Sequence, residues 1–265
     1  MNYFVDEIQN KFKNIYSIDL NNTKNIVIDN MVFPNYCVEK ILNITYENDY
    51  RDFEYCRIIN KIFGFNYNQT KLSYYEIPEI KIEKNDIVFD CGANTGIFSL
   101  YSAYKADKVY AFEPSTLVRH YLKNTQNYNS KITIIPFGVS NENKEDFFYQ
   151  TDNPGAARFN GFEIPYYHRG LYREKAKLTT IDNFVNKTKI IPTFIKMDIE
   201  DGEVLALEGA RNTLQKYSPK CSISIHEINR DKIDYIKSLF PNNYTFYLKA
   251  EPHYDLLLLG RPINA

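Results

Sequence analysis

Three groups of residues in this chain carry side chains suited to chemistry. The first is DIVFDCGANTG, residues 86 to 96, where Asp90 precedes Gly92 and Gly96, spaced by Ala93, Asn94 and Thr95. Small residues let a loop run close beneath a ligand, and N–H groups near the following helix start can meet an anion. Glu113 follows about 20 residues later, the distance at which an acidic side chain accepts the hydroxyls of a nucleotide ribose. The second group is TFIKMDIEDGE, residues 193 to 203, with Lys196, Asp198 and Glu200 at alternate positions. On a continuing strand all three point to one side. The third is CSISIHE, residues 221 to 227, ending in His226 and Glu227.

The elements that must position these residues read as an alternation of strands and helices. Ile87, Val88 and Phe89 form a short buried strand, and apolar Ile97, Leu100, Tyr101 and Tyr104 recur at helical spacing. KVYAFEP is the next strand, and PSTLVRHYLKNTQNY a helix with Pro114 in its first turn. ITIIPFGVS, residues 132 to 140, reads as one strand running into Gly138 and Val139, followed by an edge strand near FFY. Thr179-Thr180 starts another helix, TFIKMDIEDGE a strand, VLALEGARNTLQKY one helix, CSISIHE a strand and NRDKIDYIKSLF a helix. YTFYLK and YDLLLLG close the chain. This order predicts an α/β, Rossmann-like fold over residues 85–265: about seven mostly parallel strands, with helices on both faces. Ligands of such sheets sit outside the strand carboxyl ends, where Asp90, Glu113, Gly138, Asp198 and His226 fall.

Residues 1–84 hold one glycine, Gly64, and show helix-like spacing at Phe53, Cys56, Ile59 and Phe63. They are expected to form an amino-terminal helical cap, with Tyr74 and Tyr75 in packing roles and folding back over a cofactor as the alternative. Residues 154–177 interrupt the alternation with Arg158, Arg169, Arg173, Lys175 and Lys177 against Glu163 and Glu174, interleaved with Phe159, Phe162, Tyr166, Tyr167 and Tyr172. A long connection of this kind reads as a lid-like or binding insertion. Arginine grips phosphate in a forked fashion and tyrosine stacks on rings, so Arg158, Tyr167, His168, Arg169 and Arg173 are the candidate substrate-binding residues.

Composition narrows the class. Net charge is -1, with Lys+Arg 32 against Asp+Glu 33, which gives no bulk field toward nucleic acid or lipid. Four cysteines (Cys37, Cys56, Cys91 and Cys221) lack C-x-x-C spacing, which speaks for a reducing compartment and against a zinc cluster. MNYFVDEIQNKFKN lacks a signal peptide's basic start and apolar core, and no apolar run approaches the ~20 residues of a membrane span. A cytoplasmic location is expected.

The glycine spacing separates two cofactor families. A dinucleotide loop wants G-x-G-x-x-G, and here Ala93, Asn94 and Thr95 leave no central glycine. D-x-G-A-N-x-G instead resembles the S-adenosylmethionine loop of Rossmann-type methyltransferases. Together with AFEP, PFGVS, the TT-ID segment, IKMDIEDGE and ISIHE in this order, the chain resembles the FkbM family of S-adenosylmethionine-dependent methyltransferases over roughly residues 74 to 248. One departure stands out: Asp201 occupies the place of the family's first glycine after Glu200, and Gly202 comes one later.

The resemblance implies a class I methyltransferase fold and O-methylation, commonly of sugar or polyketide hydroxyls. The cofactor would be S-adenosyl-L-methionine, on Asp90, Gly92, Ala93, Asn94, Thr95, Gly96, Glu113, Pro114, Ser115, Gly138, Val139 and Asp198. A sugar hydroxyl is a poor nucleophile, so a positioned base is expected among His226, Asp198 and Glu200. Glu200 can alternatively bind substrate hydroxyls, and Lys196 is expected to pair with a carboxylate. A divalent metal on Asp198, Glu200 and Glu227 is conceivable, but no ligand spacing demands it, and none is assigned. The basic, aromatic insertion suits an anionic, ring-bearing small molecule such as a nucleotide-linked sugar. The leading reading places that acceptor in surface-polysaccharide synthesis, with no nucleic acid partner. The competing readings are an NAD(P)-dependent oxidoreductase and an O-methyltransferase of a polyketide or other small molecule. Homo-oligomerisation is left open.

Overall fold

The computed structural model describes residues 25–28, 31–34, 75–150, 158–159, 172–226, 230–250 and 256–263. A short antiparallel hairpin, β1 (Asn25–Ile28) and β2 (Met31–Pro34), precedes the main fold. The helical segments expected within the cap, residues 35–44 and 53–63, lie outside the described residues. The described parts of that stretch, 25–28, 31–34 and 75–84, hold the hairpin and turns rather than helix.

The main sheet is built from β3 (Ile87–Cys91), β4 (Lys108–Phe112), β5 (Ile132–Ile135), β10 (Phe194–Met197), β11 (Lys220–Ile225), β12 (Tyr244–Ala250) and β13 (Leu256–Pro262). Their spatial order is β12-β13-β11-β10-β3-β4-β5. The run β11-β10-β3-β4-β5 is parallel, and β13 runs antiparallel to both its neighbours. From β3 the chain winds outward through β4 and β5, then returns to lay β10 on the other side. The β3–β10 boundary is therefore the topological switch point, where such sheets take their ligands.

Strands covered on both faces are mostly apolar, and β10 is buried at every position, with Lys196 its one charged side chain. Adjacent Val88 and Phe89 enter different cores, one on each face of the sheet. The first core takes in Tyr75, Ile80, Ile82, Leu100 and Leu122, so residues from Tyr75 onward pack into the same body as the sheet. The second holds Phe89 and Phe112, against which Phe184 sets its ring edge-on.

Helices α1 (Ile97–Lys105) and α2 (Thr116–Gln126) follow β3 and β4. Ser115 caps α2 by accepting from the Val118 N–H at 3.3 Å, which puts Pro114 just before the cap rather than in the first turn. Helix α3 (Ile181–Thr188) starts at Thr180, as the Thr179-Thr180 pair suggests. The single helix expected over 204–217 is two, α4 (Glu203–Glu208) and α5 (Arg211–Tyr217). Asp182 explains the break, because its carboxylate accepts the Asn212 and Thr213 N–H groups at 3.0 and 2.7 Å and starts a fresh helix. Helix α6 (Arg230–Ser238) lies between β11 and β12 in sequence.

Two strand expectations need correction. Residues 132–140 are not one strand: Pro136 has no N–H to continue a ladder, and the chain leaves the main sheet there. β6 (Gly138–Val139) instead joins a second, four-stranded sheet with β9 (Tyr172–Thr179), β7 (Lys144–Gln150) and β8 (Arg158–Phe159), in the order β6-β9-β7-β8. Likewise β10 ends at Met197, so the alternation proposed for Lys196, Asp198 and Glu200 stops after the lysine.

Candidate functional site

The loop after β3 is held mainly through its backbone. Gly92 and Ala93 donate to the Phe112 carbonyl at 3.1 and 3.0 Å, and Thr125 Oγ1 donates to the Thr95 carbonyl at 2.6 Å. Gly92 and Gly96 adopt φ of +77° and +87°, and Asn94 one of +50°. A Cβ on Gly92 would stand 2.1 Å from the Asp198 carbonyl oxygen, so glycine there lets the β3 and β10 loops touch. Asp90 lies beneath this loop, fully buried. Its Oδ1 is 3.0 Å from Lys196 Nζ and its Oδ2 accepts from Ser99 Oγ at 2.5 Å. Lys196 also donates to the Gly92 carbonyl at 2.8 Å. Burial opposes the lysine's charge, but Asp90 and Asp198 more than offset it and hold its pKa above the ordinary value. The expected carboxylate partner of Lys196 is thus Asp90, and the pair ties β3 to β10 under the glycine loop.

Glu113 closes the other side. Its Oε2 accepts the Asn94 N–H and its Oε1 the Ser115 N–H, each at 2.9 Å, which clamps the glycine loop to the start of α2. Burial pushes its pKa up to about 7, against the opposing pull of those two N–H donors. Each oxygen keeps a further lone pair for another donor. Arg119 buttresses the turn by donating to the Glu113 carbonyl at 2.9 Å and to the Pro114 carbonyl. Gly138 and Val139, one loop further along, are buried in β6.

Across the switch point the contacts are between side chains. Asp198 Oδ2 accepts from the Tyr75 hydroxyl at 2.5 Å, and Oδ1 lies 3.1 Å from His226 Nε2. The Tyr75 ring is buried against Phe98, centroids 5.0 Å apart. His226 follows β11 directly and its Nε2 is also 3.8 Å from Glu203 Oε1. Glu203, fully buried at the start of α4, accepts the Ile199 N–H at 2.9 Å, and burial raises its pKa. Glu200 and Asp201 both adopt left-handed backbone, with φ of +55° and +76°. The glycine-like conformation at position 201 survives the change to aspartate, a residue that tolerates it, while Gly202 is ordinary at φ -74°. Lys232 reaches from α6 to Asp201 at 3.2 Å.

Ligand atoms of Asp198, Glu200 and His226 all lie within 4.8 Å of one another. The three candidate catalytic residues are therefore together, and Gly92 brings the glycine loop against them. Tyr75, Ser99 and Glu203 were missing from the sequence-derived set. Of the candidate substrate residues, Tyr167, His168 and Arg169 lie outside the described residues, as does Glu227. Arg158 is on β8. Arg173 is exposed on β9, its guanidinium 3.3 Å from the Phe147 ring centroid and 5.6 Å from that of Tyr149. Its neighbour Glu174 accepts the Thr116 N–H at 3.0 Å, which joins the second sheet to α2 one residue past Ser115.

A strand-end acid pair beside a glycine loop and a clamped glutamate is an arrangement found in more than one enzyme class, and the sequence family decides between them. The methyltransferase FkbM domain model matches residues 90–249. The chain belongs to the FkbM methyltransferase family. Its fold agrees: an FkbM methyltransferase from Methylobacillus flagellatus KT superposes with a TM-score of 0.51 at 22% identity, covering 85% of this chain and 59% of that one. The family is one of S-adenosylmethionine-dependent methyltransferases, so the oxidoreductase reading is set aside. A stretch of 113 residues is 34% identical to the AMB antimetabolite synthetase AmbE of Pseudomonas aeruginosa, covering 38% of this chain and 5% of AmbE. Among the described residues no helix is long and apolar enough to cross a membrane.

Proposed function

We propose that this chain transfers the methyl group of S-adenosyl-L-methionine to a hydroxyl of a sugar or nucleotide-linked sugar. The carrying observation is the fit of the Asp198 carbonyl into the space left by Gly92, which sets the Asp198–His226 pair beside the glycine loop. The cofactor supplies a sulfonium-activated methyl group. Its ribose hydroxyls would meet the free lone pairs of Glu113, and its methionine end the loop from Gly92 to Gly96. Gly138 and Val139 would lie by the adenine.

What this chain's own residues add is orientation and a proton acceptor. His226, its Nε2–H donated to Asp198 and faced by buried Glu203, takes the proton of the acceptor hydroxyl at Nδ1, and the carboxylates stabilise the imidazolium that forms. Tyr75 fixes the Asp198 rotamer from the opposite side. Glu200 binds a neighbouring hydroxyl. The β7–β9 face carries Arg173 over Phe147, a cation on an aromatic ring, and supports an anionic, ring-bearing acceptor. Residues 85–265 form the catalytic unit in this reading, with Tyr75 reaching into it from the segment before.

The test is mass spectrometry of S-adenosylhomocysteine release across nucleotide sugars, free sugars and small-molecule hydroxyls. Methylation of a nucleotide sugar at oxygen is the expected result. A preference for a neutral acceptor overturns the substrate class, and a product methylated at nitrogen or carbon overturns the reaction.

A further inference from the structure

We propose that Asp198, Glu200 and His226 form a divalent-cation site, with Asp198 and His226 serving as ligands when it is filled. The proposal rests on the reading of this cleft as the acceptor site and deepens it. Two carboxylates and one imidazole offer ligand atoms within 4.8 Å of one another, all half-buried at the ends of β10 and β11. Adjacent ligands in an octahedral site with bonds of about 2.1 Å stand about 3.0 Å apart, and Asp198 Oδ1 and His226 Nε2 stand 3.1 Å apart.

A second observation points the same way. Glu203 is fully buried, and its Oε1 faces His226 Nε2 at 3.8 Å. Its Oε2 has no hydrogen-bond partner among the described residues. A buried third carboxylate beside the cluster is relieved either by a proton or by a cation entering next to His226. Among the described residues Lys196 pairs with Asp90 at 3.0 Å and also feels Asp198, and Lys232 pairs with Asp201 at 3.2 Å. The Tyr75 hydroxyl donates to Asp198 Oδ2 and leaves Oδ1 turned toward His226, the kind of outer hydrogen bond that orients a metal ligand. Carboxylates favour Mg²⁺ or Mn²⁺ and imidazole the later transition metals, so the mixed set suits Mn²⁺ best among common ions. With the cation in place the imidazole proton sits on Nδ1 and Nε2 is a ligand, not a base. The cation would then orient the acceptor hydroxyl and lower its pKa, so that its proton would leave to solvent and His226 would not be needed as the base.

The experiment is Mn²⁺ titration of the chelator-treated full chain, followed by loss of the free-ion electron paramagnetic resonance signal. One Mn²⁺ per chain is expected, with affinity reduced at least about 10- to 100-fold in Asp198→Asn and His226→Asn. S-adenosylhomocysteine binding, measured on each variant, verifies that it is folded. In Glu203→Gln, which keeps the Ile199 contact, affinity should fall by less. No Mn²⁺ binding at millimolar concentration, or equal binding by the folded Asp198→Asn variant, overturns the proposal. Methyl transfer that persists in excess chelator overturns the cation's part in turnover and leaves His226 as the base. Mn²⁺ bound by a chain that methylates no hydroxyl overturns the proposed function and leaves the cation site standing.

Discussion

The two sides of the switch point are held in different ways. On the β3–β4 side, the glycine loop and Glu113 are fixed by backbone groups: carbonyls, N–H donors and two left-handed glycines. On the β10–β11 side, Tyr75, Asp198, His226 and Glu203 hold one another through side chains. A backbone-built site depends little on the identity of its side chains. One built from side chains can be altered residue by residue. The difference predicts that changes on the first side act on cofactor affinity and changes on the second act on turnover.

The largest effect is expected at His226. His226→Asn should lower kcat about 10²- to 10⁴-fold and leave S-adenosylhomocysteine affinity within about threefold, as measured by steady-state kinetics beside calorimetry. A fall in both together would merge the two sides into one unit. Lys196 tests the seam between them. Lys196→Met leaves Asp90 buried without its partner and should cost about 3–5 kcal/mol of stability in urea unfolding. A loss below about 1 kcal/mol would mean the seam is held by the strands alone.

Glu113 comes next. Glu113→Ala should weaken S-adenosylhomocysteine binding by about 1.5–3 kcal/mol, or 10- to 150-fold, with turnover at saturating cofactor little changed. Because burial raises its pKa to about 7, the wild-type site should lose affinity as pH falls. Ribose hydroxyls that donate to the carboxylate favour its charged form, so a roughly tenfold loss is expected from pH 8 to pH 6. Proton release on binding, seen as a buffer-dependent calorimetric enthalpy, is the companion measurement. A flat profile would show that Glu113 is charged without cofactor. The smallest effect belongs to Arg173. Arg173→Lys should raise the acceptor KM by about two- to fivefold, the worth of one exposed forked contact to a phosphate that lysine does not reproduce, and the rise should shrink with salt.

Local signals carried much of this fold. Short apolar runs bounded by turns gave the strands of the main sheet, and Thr180 marked a helix start because a capping hydroxyl acts within three residues. Asp90, Gly92 and Glu113 were legible because glycine spacing and a following acidic residue are short-range patterns. Tyr75 was not, since its partner Asp198 is 123 residues away and nothing in LSYYEIP distinguishes a hydrogen-bonding tyrosine from a packed one. Glu203 looked like an ordinary first-turn carboxylate. The split at Pro136 was misread because the apolar pattern runs through it, and the break between α4 and α5 because its cap, Asp182, comes from another helix.

The pairing of Val88 with Phe194 has a consequence for how the chain is made. During synthesis β3, β4 and β5 emerge well before β10, the strand that covers the open edge of β3. Until then that edge presents unsatisfied N–H and C=O groups and the apolar side chains Val88 and Phe89 to other chains. The ion pair under the glycine loop is also absent, because Asp90 awaits Lys196. The ladder on that edge of β3 and the buried ion pair are therefore completed only when β10, more than a hundred residues later in sequence, docks beside it.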